Sequence, residues 1–509
     1  MFSQVHSLGV LGIDGYAVEV EADISQGLPG FDIVGLPGVA VKESRDRVRA
    51  AMKNCGFSFP VSHITVNLAP ADVKKEGAVY DLPLLLALLR AAEQITFDPT
   101  GIAFVGELSL AGDIRPVHGV LPMVLAARKA GIHTVVIPKE NAAEGAVVDG
   151  ITVYAVGHIK PLLAHLSGEQ PLIPLSQTAF TPHADTSVAD FSEIMGQEIP
   201  RRAMEIAAAG NHNILLVGPP GSGKSMLAKR LPSILPDMTR EEALESTSVH
   251  SIVGTLPDNV GLLSSRPFRS PHHTVSAVGL SGGGTIPRPG EVSLAHNGVL
   301  FLDELPEFSR RATEGLRQPL EDHRVTISRA SGSLTYPCSF MLVAAMNPCA
   351  CGYYGHPTRA CTCPPKDVTR YLSRISGPLL DRFDLHVEVP PVGYHDLTAT
   401  KPAETSAVIR ERVNAARRIQ LERYADTAIH TNAELTPALI RQHCALSDAA
   451  QLVMQNAFER LGLSARAYDR LLKVARTIAD LDGSETVKIE HLSEAIQYRS
   501  LDRKYWQTR

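Results

Sequence analysis

The clearest chemistry in the sequence is a phosphate-binding loop that follows a short apolar strand. The strand is predicted over Ile214–Val217, and a helix is predicted from Met226 onwards. Between them, glycines let consecutive backbone N–H groups turn inward around a β-phosphate, and the helix N-terminus adds its dipole. Lys224 is expected to reach the β- and γ-phosphates, and Ser225 to ligate Mg²⁺. The predicted nucleotide-binding residues of the loop are Gly218, Pro219, Pro220, Gly221, Ser222, Gly223, Lys224 and Ser225.

A second apolar segment, residues 298–302, ends in a pair of carboxylates, Asp303 and Glu304. A carboxylate at the carboxyl end of a strand beside the phosphate-binding loop can hold Mg²⁺, which is the role predicted for Asp303. Glu304 is then placed to orient or deprotonate the water that attacks the γ-phosphate. Alone, such a pair is weak evidence. Together with the loop it predicts an ATP hydrolase that uses Mg²⁺.

Two further polar residues are candidates to complete the nucleotide site. Asn347 follows a third predicted strand, Phe340–Ala345, and there its side chain would sense the γ-phosphate. The alternative for Asn347 is a plain turn residue before proline. Arg466 precedes a predicted helix, Asp469–Leu481, and from there it would act on the nucleotide of its own subunit. The alternative for Arg466 is a solvated surface residue.

An arginine finger is predicted near the end of the same block. Arg382 lies just before a predicted strand, Leu385–Val389, where it can be offered to the nucleotide of a neighbouring subunit. A finger of this kind neutralises charge on the γ-phosphate in the transition state. Arg374 is a second candidate, and an ion pair with Asp381 or Asp384 is the alternative role for Arg382. A finger supplied by a neighbour requires an oligomer.

Four of the seven cysteines form the pattern CxC-x9-CxC. Four thiolates at this spacing can close a tetrahedral Zn²⁺ site and fold a loop rich in glycine and proline. His356 could replace one ligand, and reduced free thiols or redox-active disulfides are the alternatives. Cys55, Cys338 and Cys444 are expected to be ordinary buried thiols. The predicted zinc ligands are Cys349, Cys351, Cys361 and Cys363.

Length and composition describe the chain that must position these residues. At about 150 residues per domain, 509 residues predict roughly three domains. The net charge of −5 gives no global positive field, so any nucleic-acid contact must be a local patch. The longest apolar run, residues 82–89, is interrupted by Pro83 and is too short to cross a membrane. The N-terminus carries no secretion signal, and we expect a cytoplasmic protein with no membrane partner.

Composition divides the chain into blocks, and the predicted fold class is α/β. Residues 1–165 alternate strands with helices, and residues 166–188 are a linker rich in proline, serine and threonine. Residues 189–395 form the ATPase core, and 396–509 form a helical lid. Strands of the first block are predicted at His63–Leu68, Ile102–Val105, Thr134–Ile137 and Ile151–Val156, and helices at Asp81–Ala92 and Met123–Ala130.

Three stretches of the core, residues 196–231, 269–308 and 375–390, closely resemble the ComM/YifB family of magnesium-chelatase-like AAA+ ATPases. The resemblance extends over essentially the whole chain. It implies a ring-forming, hexameric helicase that drives branch migration of three- and four-strand DNA junctions during natural transformation. The implied partners are single-stranded and branched DNA, further copies of the chain, and a recombinase on the DNA.

The N-terminal block resembles the Lon protease domain, most closely over residues 106–141. Lon-type catalysis needs a serine nucleophile with a lysine base in reach. On the family pattern these two positions fall on Val79 and Leu121, neither of which can do that chemistry. The resemblance therefore implies a non-catalytic Lon-like domain that forms the ring or guides DNA. A Ser/Lys pair relocated elsewhere is the alternative.

Two insertions in the core are candidates for DNA contact. Ser270–Gly290 is glycine-rich and carries two adjacent histidines, for which DNA, metal and core roles compete. Val325–Pro337 is predicted to be a hairpin that turns at Ser331, with Arg329 near its tip. Loops in these places face the central pore of related rings, so Arg329 is the predicted DNA-backbone contact. The alternative for Arg329 is a solvated turn residue.

Two other classes of function compete with a DNA motor. The first is a remodelling ATPase of the MoxR or chelatase type, which would act on a protein or on metal insertion. The second is an ATP-dependent protease, which Val79 and Leu121 disfavour. Salt-dependent binding to single-stranded or forked DNA separates the motor from both, because phosphate contacts release counterions.

Overall fold

The structure is a computed structural model in which the chain forms two compact units. Residues 184–187 of the predicted linker, the predicted turn residue Ser331 and the predicted core–lid boundary at 395/396 lie outside the described residues. One unit comprises Met1–Thr181 with Ala243–Leu263, and the other Pro182–Glu242 with Ser264–Arg509. The described residues are 1–183, 188–284, 287–329, 332–393, 403–499 and 501–506.

The first unit is built on a mixed sheet of seven strands beside a two-stranded pair. Its strands are β1 Phe2–Leu11, β2 Asp14–Ser25, β3 Gly30–Val34, β4 His63–Ala69, β5 Ile102–Phe104, β6 Glu107–Leu108, β7 Ile114–Arg115, β8 Thr134–Pro138 and β9 Thr152–Val156. The large sheet has the order β3-β4-β2-β1-β5-β8-β9, and β6 pairs with β7. β1 and β2 form an antiparallel hairpin, whereas β5, β8 and β9 run parallel because helices connect them.

One almost wholly buried helix, Asp81–Ala91, lies in the core of this unit. Asp81 at its start is buried and forms a two-point ion pair with Arg47, with Nε–Oδ2 2.6 Å and Nη2–Oδ1 3.0 Å. The predicted strands and helices of this block are confirmed, with ends displaced by up to three residues. The helices are Val39–Asn54, Asp81–Ala91, Val120–Lys129, Ala142–Gly145 and Ile159–Leu166, with a 3₁₀ turn at Lys139–Asn141.

The chain returns to the first unit over Ala243–Leu263, which includes most of the helix Arg240–Val253. Leu244 and Leu262 pack against the core of that unit, and Ser251 Oγ donates to the Glu144 carboxylate at 2.7 Å. From its position in the chain, this segment is expected in the ATPase core, residues 189–395. The structure differs because the apolar side chains and the hydroxyl find their partners in the first unit.

The second unit is organised by a five-stranded sheet in which every pair is parallel. Its strands are β10 Ile214–Val217, β11 Phe268–Arg269, β12 Val299–Leu302, β15 Met341–Met346 and β16 Leu385–Glu388, beside a hairpin of β13 Arg324–Arg329 and β14 Gly332–Pro337. The sheet order is β11-β12-β15-β10-β16. The central strands are buried and apolar on both faces, as in sheets covered by helices. The loops after β10, β12 and β15 therefore share one edge.

Helices cover this sheet and make up the C-terminal part of the unit. No helix in the part of the chain that the structure describes has the length and apolar composition to cross a bilayer. The helices are Glu198–Gly210, Lys224–Arg230, Ala277–Ser281, Glu291–Leu294, Arg310–Glu314, Arg317–Asp322, Pro365–Leu372, Gly377–Leu380, Ser406–Arg423, Pro437–His443, Asp448–Leu461, Ala465–Leu481 and Ile489–Gln497, with a π turn at Asp502–Trp506. The 3₁₀ turns are Phe191–Glu193, Leu231–Ser233, Leu305–Glu307 and Asn432–Glu434.

Candidate nucleotide-binding site

The phosphate-binding loop connects β10 to the helix Lys224–Arg230. Gly221 and Gly223 have φ of +76° and +92°, which only glycine adopts at little cost. Lys224 Nζ donates to the carbonyls of Gly218 at 2.8 Å and Pro219 at 2.9 Å. Burial lowers the pKa of Lys224 to about 8, and the Asp303 carboxylate offsets this only in part. A phosphate in the loop would therefore meet a lysine whose charge is incompletely compensated.

Ser225 and Asp303 lie side by side, with Ser225 Oγ donating to Asp303 Oδ2 at 2.6 Å. They come from two different strand ends, β10 and β12, that the sheet order brings to the same edge. A hydroxyl and a carboxylate are oxygen ligands of the kind Mg²⁺ prefers, usually with waters and substrate phosphates completing the shell. The pair therefore fits Mg²⁺ bound together with a nucleotide.

Glu304 is the one of the two carboxylates that points to solvent. Its backbone has φ +54° and ψ +47°, a left-handed conformation that costs a non-glycine residue about 1–2 kcal/mol. The Glu304 N–H donates to Asp303 Oδ1 at 3.0 Å, and its carboxylate lies 3.4 Å from His273 Nδ1. The turn thus points the Asp303 carboxylate towards Ser225 and the Glu304 carboxylate towards solvent. His273, one of the adjacent histidines of the glycine-rich insertion, is the partner that sequence reasoning left unassigned.

Asn347 follows β15 and enters the same site. Its Oδ1 accepts a hydrogen bond from Lys224 Nζ at 3.1 Å. This contact exists because β15 lies between β12 and β10 in the sheet, so its end faces the phosphate-binding loop. The structure thus brings together Lys224, Ser225, Asp303 and Asn347.

Arg382 and Arg466 lie at the opposite edge of the sheet. Asn213, just before β10, donates its N–H to Asp384 Oδ2 at 3.1 Å, and Asp384 itself lies just before β16. These residues mark the amino edge of the sheet, and the nucleotide loop lies at the opposite, carboxyl edge. A cavity of about 450 Å³ opens here, and its lining includes Arg382, Asp384, Arg466 and Arg470.

The surroundings of the three predicted arginines differ from the sequence expectation. Arg382 is 7 % exposed and forms its ion pair with Glu321, not with Asp381 or Asp384. Arg466 shares the cavity with Arg382, so the structure does not bring it to the nucleotide loop of its own chain. Arg374 bonds Glu307 Oε1 at 2.8 Å, in the turn that follows Glu304.

A buried polar cluster fixes the segment that carries Arg382. Asp384 Oδ2 lies 3.4 Å from His212 Nδ1, and Asp384 Oδ1 lies 3.3 Å from Arg470 Nε. Burial raises the pKa of Asp384, but His212, Arg470 and Lys473 outweigh this and hold that pKa at about 2. Asp384 is therefore ionised at neutral pH. His212 and Arg470 carry no local motif and were missed from the sequence.

The four predicted zinc ligands converge in space. The sulfurs of Cys349, Cys351, Cys361 and Cys363 lie within 4.8 Å of one another. Cys349 is buried and the other three are partly buried, and Cys349–Cys351 and Cys351–Cys361 are 3.4 and 3.5 Å apart. His356 stands apart from this set, because its Nδ1 accepts from the N–H groups of Thr358 and Arg359. The cluster offers four sulfur ligands, the donor set of tetrahedral Zn²⁺.

The predicted hairpin is present, with Val325 and Ile327 buried on one face. Arg329 is exposed at the end of β13. Its Nε donates to the Gly284 carbonyl at 3.2 Å and its Nη1 to the Ser328 carbonyl at 3.0 Å. These bonds orient the guanidinium and leave part of it accessible.

A parallel sheet with this loop and these two carboxylates defines a P-loop ATPase of the AAA+ class. A family model described as magnesium chelatase subunit ChlI matches residues 190–397. A model of the C-terminal part of that subunit matches residues 403–499, and a third model, also of ChlI, matches residues 20–141. The uncharacterized protein YifB of Escherichia coli is 46 % identical over 505 residues, covering 98 % of this chain and 97 % of that protein. The competence protein ComM of Haemophilus influenzae is 46 % identical over 507 residues, with the same shares. The chain belongs to the ComM/YifB family of magnesium-chelatase-like AAA+ ATPases.

A part of the chain is also similar to part of another protein. Lon protease of Mycolicibacterium smegmatis is 28 % identical over 170 residues, which are 31 % of this chain and 21 % of that protein. The fold is thus a Lon-like domain, a AAA+ core and a helical C-terminal region. At the two positions that the Lon pattern assigns to catalysis, Val79 and Leu121 are 7 % and 0 % exposed within the apolar core.

Proposed function

We propose that this chain is an ATP-dependent DNA motor, a hexameric helicase that drives branch migration of recombination junctions during natural transformation. The observation that carries the proposal is the convergence of Lys224, Ser225, Asp303 and Asn347 at one sheet edge, in a chain 46 % identical to a competence protein. A cytoplasmic location and a recombinase partner on the DNA belong to the same proposal. The first unit is a non-catalytic domain that helps to form the ring or to guide DNA.

The site residues have distinct roles in hydrolysis. Lys224 neutralises the β- and γ-phosphates, and Ser225 and Asp303 hold Mg²⁺, which adds positive charge where phosphate charge develops. The Glu304 carboxylate orients the attacking water and accepts its proton. Asn347, which already accepts a hydrogen bond from Lys224, contacts the γ-phosphate. The position of the chain at the end of β15 therefore depends on whether a γ-phosphate is bound.

Arg382 and Arg466 complete the nucleotide site of a neighbouring subunit. Within the described residues Arg382 Nε and Arg470 Nη1 are buried without a hydrogen-bond partner, although both side chains line the cavity at the amino edge. Buried cationic donors left unpaired are costly and favour an anionic ligand. Because this cavity lies across the sheet from the chain's own loop, the anion is the γ-phosphate bound by the next copy in a closed homohexamer.

Arg329 is the proposed contact to the DNA backbone. Arg329→Ala is expected to weaken binding to single-stranded DNA and to reduce the slope of log K against log salt by about 0.7 for each phosphate contact that is lost. The measurement is fluorescence anisotropy across a salt series. Arg324→Ala, at the exposed base of the same hairpin, is the matched control and keeps the wild-type slope. A wild-type slope in Arg329→Ala, equal to that of the control, would mean that Arg329 does not contact the DNA.

Zinc is the proposed metal of the four-cysteine cluster. Purified protein is expected to hold one Zn²⁺ per chain, measured by elemental analysis, and the Cys351→Ser/Cys363→Ser variant is expected to lose it because two thiolates do not close the site. Cys55→Ser removes a partly exposed thiol outside the cluster and retains the metal. Protein that is purified without bound metal, and is fully folded and does not take up added Zn²⁺, would contradict the assignment and leave the cysteines as free thiols.

The deciding experiment is ATP-driven branch migration of a three-strand DNA junction. Wild-type protein is expected to resolve the junction with ATP and Mg²⁺, and Lys224→Ala protein is not. If the wild type hydrolyses ATP but moves no strand and binds no DNA, the motor proposal fails. A remodelling ATPase that acts on a protein partner then takes its place.

A further inference from the structure

The four-cysteine loop, residues 349–363, is attached to the nucleotide site through the chain itself. Asn347, whose side chain accepts a hydrogen bond from Lys224, is followed by Pro348 and then by the first sulfur ligand, Cys349. Cys349 is fully buried, three residues beyond the end of β15. The first ligand is therefore only two residues away in the chain from the amide that contacts Lys224.

A second attachment is direct packing on the phosphate-binding loop. Gly352, with φ +84°, follows the second ligand, Cys351, and its N–H donates to the Cys349 carbonyl at 3.0 Å. A Cβ built on Gly352 would lie 2.6 Å from Pro220 Cγ, closer than real Cβ atoms approach other atoms. The backbone of the four-cysteine loop thus packs against the ring of Pro220, a residue of the phosphate-binding loop.

The four-cysteine loop has no regular secondary structure of its own to hold this packing contact in place. Residues 350–364, all of them described, contain no helix or strand. Several of their bonds end on sulfur: Tyr354 N–H donates to Cys349 Sγ at 3.3 Å, and Cys351 N–H to Cys363 Sγ at 3.4 Å. Thiolate ligands gathered by a metal fix such a segment, and removing the metal returns the conformational freedom that folding had to overcome.

We propose that the metal held by the four cysteines braces the phosphate-binding loop, so that ATP affinity depends on metal occupancy. The proposal rests on the proposed zinc site and on the proposed ATPase function. It assigns the cluster a regulatory role: conditions that remove zinc would weaken nucleotide binding without altering any residue that touches the nucleotide.

The test measures binding of a fluorescent ATP analogue to full-length protein before and after treatment with a zinc chelator. Metal removal is expected to raise the Kd at least tenfold, and added Zn²⁺ is expected to restore it. Circular dichroism and gel filtration confirm that the metal-free protein stays folded. Unchanged affinity in folded, metal-free protein would overturn the proposal.

A pair of variants separates the effect of the Gly352–Pro220 contact from zinc binding itself. Gly352→Ala is expected to keep its zinc but to bind ATP at least tenfold more weakly, because the new methyl group pushes the four-cysteine loop away from Pro220. Gly355→Ala is the matched control: its φ is also positive, at +74°, but its Cβ meets only the flexible Lys504 and Tyr505 side chains, at 3.4 Å or more. Equal affinities in the two variants would refute the contact as the route.

The result also distinguishes this proposal from the one on which it rests. If the wild type, loaded with metal, binds no ATP analogue, the proposed ATPase function fails. If the wild type binds it and the metal-free protein binds it equally well, the ATPase function stands and only the bracing role fails.

Discussion

Lys224→Ala is expected to lower ATP hydrolysis by about 10²–10³-fold and to abolish branch migration. The ammonium group is buried against two loop carbonyls and Asn347, in the position where the β- and γ-phosphates would lie. Removing one charged donor from a pre-organised site typically costs about 2.7–4 kcal/mol in the transition state. The measurement is steady-state hydrolysis with and without DNA, together with junction resolution.

The same lysine predicts a pH dependence of ATP binding. With a pKa lowered to about 8, Lys224 is mostly charged at pH 7 and mostly neutral at pH 9 in the nucleotide-free protein. Bound phosphates favour the charged form, so binding takes up a proton above pH 8. Affinity should then fall as pH rises through 8, by up to about tenfold per pH unit. Calorimetry in buffers of different ionisation enthalpy measures this uptake.

Lys229→Ala is the control, since Lys229 is an exposed lysine on the same short helix. It is expected to keep wild-type hydrolysis and the wild-type pH profile. Hydrolysis by Lys224→Ala at the wild-type rate would show that the loop is not the catalytic nucleotide site. A pH-independent ATP affinity would show that Lys224 is already fully charged before the nucleotide binds.

Arg382→Ala is expected to lower hydrolysis by about 10³-fold or more while leaving ATP binding nearly unchanged. An arginine finger is worth about 10³–10⁵ in kcat, because it meets charge that develops only during phosphoryl transfer. Arg382 lies at the amino edge of the sheet, across from its own nucleotide loop, so its effect is expected to be felt in the neighbouring subunit. Hydrolysis and analogue binding are measured on the same preparation.

Mixing two inactive variants tests that geometry. Lys224→Ala subunits supply an intact finger and Arg382→Ala subunits an intact loop, so about a quarter of the interfaces in a random equal mixture of a cyclic ring are complete. Activity is expected to reappear on mixing. Arg370→Ala, at an exposed arginine paired with Asp367, should behave as wild type. A mixture as inactive as its components, in rings shown to exchange subunits, would place the action of Arg382 within its own chain.

Local sequence was enough to determine the strands and the residues at their ends. The β10 strand is predicted to its exact bounds, and β12, β15 and β16 to within one residue at either end. The phosphate-binding loop, the two carboxylates after β12 and the four cysteines were found in the same way. These features are carried by neighbours in the chain, where apolar runs, glycines and ligand spacing act over a few residues.

Only the tertiary structure decided which of these residues meet. β15 lies between β12 and β10, and that order, fixed by crossover connections rather than by local pattern, brings Asn347 to Lys224. The same order separates Arg382 from its own nucleotide loop, and packing of distant helices pairs it with Glu321.

The contact of Gly352 with Pro220 and the return of Ala243–Leu263 to the first unit join segments far apart in sequence. Such contacts depend on shape and burial after the chain has crossed the fold, and no residue pattern along the chain records them. The sequence alone therefore determined the chemistry available to this protein. Folding decided which of these groups lie together.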